Sequence, residues 1–342
     1  RSPSPRGTAG IVRREKRSPV RLWVSVATPE QLEDFDWSGV EGVGLFRTEN
    51  MYLAHGHDFL REAEQIAVYG RLFELCKGRP VTIRTLDVGA DKVLPYMPLG
   101  NSDNPQLGLR AHRVFHFHPE LLITQVRAIL QAAHGDTRLR IVYPMVESIE
   151  QWRFVGRLTE DAIATLYSAG VPFQERFQRG PLIETPSAAW GFSRLLREAD
   201  FAAIGSNDLV QYLFAVDRSN ASVSHLYRPE HPIVLQVLKT LVDGARTAGK
   251  PLSICGEIAS DTRLLPVLVG LGLEDFTVPV GMLPEVQGCL GHVSVSECRG
   301  LAERCLAADG ADEVRDLIAE WADRHPRSPP VKGDARPGTV PA

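Results

Sequence analysis

The sequence predicts an α/β protein closed into a (β/α)8 TIM barrel, and three observations predict it. Eight short runs are continuously apolar rather than alternating, the pattern of strands buried on both faces of a parallel sheet. Amphipathic segments of helical period lie between them, as βα repeats require. No Gly-x-Gly-x-x-Gly follows an early run, which places the runner-up, an open doubly wound sheet, behind the barrel.

The runs are taken in order. VRLWVSVAT (20–28) is the first strand, and GVGLFR (42–47) the second, ending on Arg47. PVTIRTLD (80–87) is the third and ends with Arg84 and Asp87. A long connection over about 88–118 precedes the helix PELLITQVRAILQAAH (119–134), and long connections in compact domains are usually functional. RIVYPMVE (140–147) is the fourth strand, and GPLIET (180–185) the fifth, ending at Glu184. SAAWGFSRLLREA (187–199) reads as one helix. FAAIGS (201–206) is the sixth strand, with Asn207 and Asp208 after it and a second long connection to about 231. Pro232 opens and Gly249 closes the next helix, the expected punctuation. PLSICGE (251–257) is the seventh strand, ending with Cys255 and Glu257, and DFTVPV (275–280) is the eighth.

Composition bounds the function. Of 342 residues, 44% are apolar and 23% charged, an ordinary globular mix that excludes large-scale disorder, collagen and coiled coil. Lys and Arg number 38 against 42 Asp and Glu, a net charge of −4, too mild for a dedicated nucleic-acid binder. The longest apolar run, Leu264 to Leu273, is half a bilayer span, so no membrane helix is expected. Five cysteines without a Cys-x-x-Cys pair argue against a disulfide framework or zinc knuckle and favour a cytoplasmic setting. Residues 1–19 are basic and Pro/Ser-rich and are expected to be a disordered linker. Residues 326–342 are expected to be a disordered Pro-rich tail, which leaves 20–325 for the barrel.

In a parallel barrel all strand C-termini open on one face, where active sites are built. Five of the runs carry polar ends, which points to one shared site. Arg47, Arg84 and Arg218 would converge on an anion, because guanidinium forks match phosphate and carboxylate oxygens. Glu184 and Asp208 are hard oxygen donors suited to Mg2+, or else a pair held by nearby arginines. Lys92 supplies a point charge or is simply solvated. Cys255 is either a small core residue or a general acid or base, with Gly256 permitting close backbone approach. The other four cysteines read as structural.

Several stretches resemble the phosphoenolpyruvate-binding C-terminal domain of enzyme I of the bacterial phosphotransferase system. They are GVGLFRTENMYL (42–53), TIRTLDVGADKVLPY (82–96), NPQLGLRAHRV (104–114), IVYPMVESIEQ (141–151), LIETPSAA (182–189), IGSNDLVQYLFAVDRSN (204–220), HLYRPEHPIVL (225–235) and ICGEIASD (254–261). The resemblance implies a TIM barrel of the phosphoenolpyruvate/pyruvate-binding type. It also implies that Arg47, Arg84 and Arg218 contact the substrate, that Arg110 borders the site and that Asn207 binds substrate. Glu184 and Asp208 would hold Mg2+, and Cys255 would protonate the enolate carbon.

By the same resemblance, the activity is Mg2+-dependent phosphoryl transfer from phosphoenolpyruvate to a protein histidine, giving pyruvate, in sugar transport. An HPr-like carrier protein would then be an indirect partner and a homodimer the assembly. Nothing matches the Gly-rich context of the acceptor histidine. The first residue is Arg, and the leading reading is a fragment or half of a split enzyme, with the acceptor domain in trans or on a missing N-terminal part. A stand-alone phosphoenolpyruvate-binding or sensing module, and a barrel repurposed to another phosphoenolpyruvate or pyruvate reaction, are the alternatives.

Overall fold

Each of the eight apolar runs forms a strand in the computed structural model, which describes residues 20–55, 59–89, 103–135, 138–291 and 293–325. The strands are β1 (Arg21–Val26), β2 (Val43–Arg47), β3 (Val81–Arg84), β4 (Leu139–Tyr143), β5 (Gln178–Ile183), β6 (Ala202–Gly205), β7 (Leu252–Cys255) and β8 (Asp275–Pro279). Each pairs in parallel with the next, and β8 returns to β1 with Trp23 opposite Thr277, closing the barrel. The proposed linker, the proposed tail and Lys92 lie outside the described residues.

Helices occupy most connections. After β2 come α1 (Glu49–His55) and α2 (Glu62–Cys76), and α3 (Pro119–Ala132) precedes β4. Then follow α4 (Ile149–Ser168), α5 (Pro186–Trp190) and α6 (Phe192–Glu198), and, after β6, α7 (Ser206–Phe214) and α8 (Pro232–Ala248). α9 (Leu265–Leu271) follows β7, and α10 (Leu283–Leu290), α11 (Val295–Ala307) and α12 (Ala311–Arg324) close the chain. β1 and β2 are joined by a 3-10 turn, Pro29–Leu32, instead of an α-helix. Among the described residues no helix is long and apolar enough to cross a membrane.

One expectation is corrected. The helix read over 187–199 is broken at Gly191, whose N–H bonds back to the Ser187 carbonyl at 2.8 Å and whose ψ of 4° leaves the helical range. Thr185 caps the first piece, its hydroxyl accepting from the Ala188 N–H at 3.2 Å. The long connection read after Asp208 begins with α7, which starts directly at the end of β6 and stops where Ala215 turns left-handed at φ 51°, and it continues with only the short 3-10 turn Ser224–Leu226 before Pro232.

Alternation along the strands builds two cores. Phe46, Ile83, Ile141, Ile183, Ile204 and Ile254 join the large apolar layer between sheet and helices. Their neighbours Leu45, Val142, Leu182, Ala203 and Cys255, with Phe201, form a separate small cluster, the packing inside the barrel. Fully burying each Leu, Ile or Phe side chain contributes about 1.5–3 kcal/mol. The strands are thereby held rigid, and their C-terminal ends become fixed points for side chains.

Candidate active site

The C-terminal ends of β2 and β3 stand in register, with Arg47 opposite Arg84. Arg47 is exposed, whereas Arg84 is buried. The Thr48 hydroxyl donates to the Arg84 carbonyl at 3.0 Å and ties the two ends together. Arg84 pairs through Nη2 with Glu49, a buried residue in the first turn of α1, and lies 3.3 Å through Nη1 from Asp87. Its Nε is buried and has no partner among the described residues.

Arg110 is more central than its expected place at the border. It donates from Nε and Nη2 to the two oxygens of fully buried Asp87, at 2.9 and 3.0 Å. From Nη2 and Nη1 it also reaches both oxygens of Asp208, at 2.8 and 3.2 Å. Asp208 is thus held by an arginine, as the second of the two sequence readings had it. Tyr212 and Gln106 steady the far side of the guanidinium at 3.4 and 3.1 Å.

Glu184 follows β5 and is 2% exposed. Its Oε2 accepts from the Met145 N–H at 2.8 Å, and among the described residues it makes no ion pair. Gly205 opens the space it fills, since a Cβ there would meet the Glu184 Cγ at 2.5 Å. Burial first, then Asp208 and Asp87, pushes its carboxyl up to about 8. Asn207 accepts from the Glu257 N–H at 2.8 Å. Gly256, at φ +94°, lets that turn close, because a Cβ would lie 2.3 Å from Ser206 Oγ and 2.6 Å from Asn207 Oδ1. The close backbone approach read at Gly256 is therefore present.

Cys255 sits among these groups at the end of β7, its Sγ donating to the Ile204 carbonyl at 3.3 Å. Burial, followed by the Glu184 charge, pushes the thiol up to about 12 against the opposing fields of Arg84 and Arg47. At neutral pH the thiol therefore keeps its proton, as the general-acid and core-residue readings both require. All five cysteines are buried and free. Arg218, after α7, has Nη2 4.0 Å from Asp208, and its Nη1 is buried with no partner among the described residues. A guanidinium half satisfied inside a protein is a donor waiting for an acceptor.

Arg47, Arg84, Arg110, Glu184, Asn207, Asp208, Arg218 and Cys255 therefore all lie at or beyond the C-terminal ends of strands. Those missed are Glu49, Tyr212 and Tyr227, whose hydroxyl donates to the Asn207 carbonyl at 3.4 Å, and Asp87 had been noted without its role as the bridge between Arg84 and Arg110. Glu49 had one signal, its place two residues beyond Arg47 at a helix start. A cleft of about 490 Å³ flanks the charged cluster rather than enclosing it, with Gln106, Met145, Glu147, Thr185, Gln211 and Tyr212 on its walls.

The donor set fits a hard divalent cation. Glu184 is a buried carboxylate crowded by Asp208 and Asp87, whose effect outweighs that of Arg84 and Arg110, and Asp208 stands beside it. Among the described residues no group of three or more His, Cys, Asp and Glu side chains gathers as a metal site. A cation here would take two carboxylates from the protein and the remaining oxygens from substrate and water, the habit of Mg2+.

Comparison with known proteins agrees with the motif resemblance. Residues 12–294 match the family model described as PEP-utilising enzyme, PEP-binding domain. The phosphoenolpyruvate-protein phosphotransferase of Enterococcus faecalis is 37% identical over 306 residues, which is 88% of this chain and 53% of that protein. The proteins of the same name from Listeria monocytogenes and Haemophilus influenzae are each 37% identical, over 88% of this chain and 52% of their own length. The chain thus spans about half the length of the curated relatives it matches.

Proposed function

The chain belongs to the PEP-utilising enzyme family as its PEP-binding domain, and from that premise we propose that it binds phosphoenolpyruvate at the C-terminal mouth of the barrel and starts phosphoryl transfer to a protein histidine. The observation that carries the reading is one cluster in which Arg47, Arg84, Arg110 and Arg218 face Glu49, Asp87, Glu184 and Asp208. With Glu184 ionised, as a cation ligand must be, these eight groups cancel, four positive against four negative. An enol phosphate bearing a carboxylate brings roughly 2.5–3 negative charges, which a divalent cation on Glu184 and Asp208 would largely offset. Residues 20–325 are taken as the working unit.

In this reading Arg84 and Arg47 hold the phosphate, and the unpartnered Nη1 of Arg218 takes a further substrate oxygen. Asn207, fixed by Glu257 and Gly256, orients the substrate. Bound Mg2+ would supply positive charge against the phosphate and enolate oxygens. The ester P–O bond breaks, phosphorus bonds to the acceptor histidine nitrogen, and the electron pair remains on the leaving enolate. The enolate carbon then takes the Cys255 proton, and the product is pyruvate. Proton transfer traps the product, so forward transfer needs a protonated thiol there.

The acceptor is a histidine domain in trans or elsewhere on a longer polypeptide, with an HPr-like carrier protein downstream. A homodimer in the cytoplasm serving sugar transport is the accompanying proposal. The test is incubation with phosphoenolpyruvate and Mg2+, with and without an added histidine domain from one of the relatives, while pyruvate is assayed. Pyruvate released only with the added domain supports the proposal. Binding without release would favour a sensing module, and release without any acceptor a repurposed barrel.

A further inference from the structure

The connection from β4 to α4 carries a backbone feature that the proposed chemistry does not use. Met145 has φ +57°, a left-handed conformation that a residue with a long side chain avoids. Its peptide groups are held from both sides. The Met145 N–H donates to Glu184 Oε2 at 2.8 Å, and the Met145 carbonyl accepts from His112 Nε2 at 2.8 Å. The same ring nitrogen lies 2.6 Å from Glu147 Oε2. Two oxygen acceptors on one nitrogen require it to be the donor, so the proton is on Nε2. The other tautomer would place its N–H on Nδ1, which is buried with no partner among the described residues. Glu147, which retains 28% side-chain exposure at the cleft, thereby locks the buried ring in one orientation.

The chain position of His112 matters as well. It stands two residues after Arg110 in the 3-10 turn Ala111–His116, and the residue between them, Ala111, is also left-handed at φ 51°. The Ala111 N–H is bound to the Val88 carbonyl at 3.0 Å. One turn therefore sends Arg110 to Asp208 and His112 to the peptide that steadies Glu184. Strained residues persist only where the surroundings over-determine them, and here both flank a single hydrogen-bonded path.

We propose that His112, oriented by Glu147, is a positioning residue that fixes the Glu184 carboxylate through the Met145 peptide and so sets divalent-cation affinity at the barrel mouth. The proposal rests on the reading of Glu184 as a cation ligand. Without the His112 bond Met145 relaxes toward negative φ, its N–H swings away, and the carboxylate loses its fixed orientation.

The test uses the full chain, with Mn2+ as the probe titrated by electron paramagnetic resonance and the thermal midpoint read without metal. In His112→Gln the side-chain amide reaches the place of Nε2, whereas in His112→Asn it falls short. H112N is expected to bind Mn2+ about tenfold more weakly than the parent, the usual consequence of losing a ligand's hydrogen-bonded support. H112Q is expected to stay within about twofold at the same thermal midpoint, and Glu184→Gln, as control, to lose binding almost completely. If E184Q loses Mn2+ while H112N binds like the parent, the positioning role is overturned and the reading of Glu184 survives. If E184Q binds like the parent, both fall. Equal weakening in H112N and H112Q, following the thermal midpoint, would show simple packing and overturn the proposal. Should H112N not fold, Glu147→Ala at the cleft wall carries the test: about threefold weaker Mn2+ binding supports the proposal, and unchanged affinity overturns it.

Discussion

Both ends of the barrel carry buried charge, yet they are built differently. At the N-terminal end, Asp275 accepts from Arg21 Nε and Nη2 at 2.7 and 2.6 Å and from Trp23 Nε1 at 2.8 Å. Arg140 lies 5.3 Å above the Trp23 ring and 5.6 Å from the Phe201 ring, with Nε bonded to Gln178 at 2.9 Å. Both Asp275 oxygens are occupied, and the cluster closes on itself. At the C-terminal end, among the described residues, Glu184 has no ion-pair partner and Arg84 Nε and Arg218 Nη1 have no acceptor. A satisfied charge cluster plugs a barrel, whereas buried unmet donors beside a crowded carboxylate are the pattern of a candidate functional site.

The largest expected effect breaks the unsatisfied end. Glu184→Gln keeps the shape of the side chain and removes its charge. Divalent-cation affinity should fall by about a hundredfold or more, and phosphoenolpyruvate turnover with it. Calorimetric titration of Mn2+ and the pyruvate assay read the two quantities. Parent-like values in both would mean that the crowding at Glu184 is only structural, and the contrast between the two ends would disappear.

Next in size is Cys255→Ala, which sharpens the contrast by separating chemistry from binding. The thiol lies on the small inner cluster and also faces the site. Losing its proton should slow pyruvate formation by about 10²–10⁴, while phosphoenolpyruvate affinity, read by calorimetry, stays within about twofold. Unchanged turnover would return Cys255 to the barrel interior as a packing residue.

How much of this was legible in the sequence differs between the two ends. The strands were legible because burial on both faces forces continuous apolar runs, and strand ends gave Arg47, Arg84, Glu184, Asp208 and Cys255 a common face. The break at Gly191 was not legible, because one glycine inside a helical pattern is ordinarily tolerated. The partition of charges was not legible either. Whether Asp208 faces a cation or Arg110 depends on the turn of residues 111–116, set by a left-handed alanine that no pattern announces. His112 and Glu147 sit 35 residues apart, and only the fold brings them together. The Asp275 cluster escaped for the same reason, since its partner Arg21 is 254 residues away.

A third prediction concerns pH. The Glu184 carboxyl is raised from the ordinary 4.5 to about 8, chiefly by burial and then by Asp208 and Asp87. A raised value means that the folded state favours the protonated form. This contribution to stability is fully present below about 4.5 and is lost as pH rises toward 8. A cation must displace that proton, so its affinity should rise about tenfold per pH unit up to near 8 and then level. Thermal midpoints from pH 5 to 9, with and without Mg2+, check both signs. The metal-free midpoint should decline across the window while the increment from Mg2+ grows, and in E184Q both slopes should flatten.

The smallest effect is expected at the satisfied end. Asp275→Asn leaves an oxygen for Trp23 Nε1 but removes the charge that pairs with Arg21. The Arg21 side chain is 48% exposed, so water and salt already screen much of that attraction. Destabilisation of about 1 kcal/mol follows, roughly one net hydrogen bond, and denaturant titration of the variant reads it. Mn2+ affinity should not move, because the two clusters are separated by the apolar layer that includes Val142, Leu182 and Ala203. A D275N variant that keeps its stability but loses Mn2+ would mean that charge at one mouth governs the other through that packed layer, and the two ends would then have to be treated as one electrostatic unit.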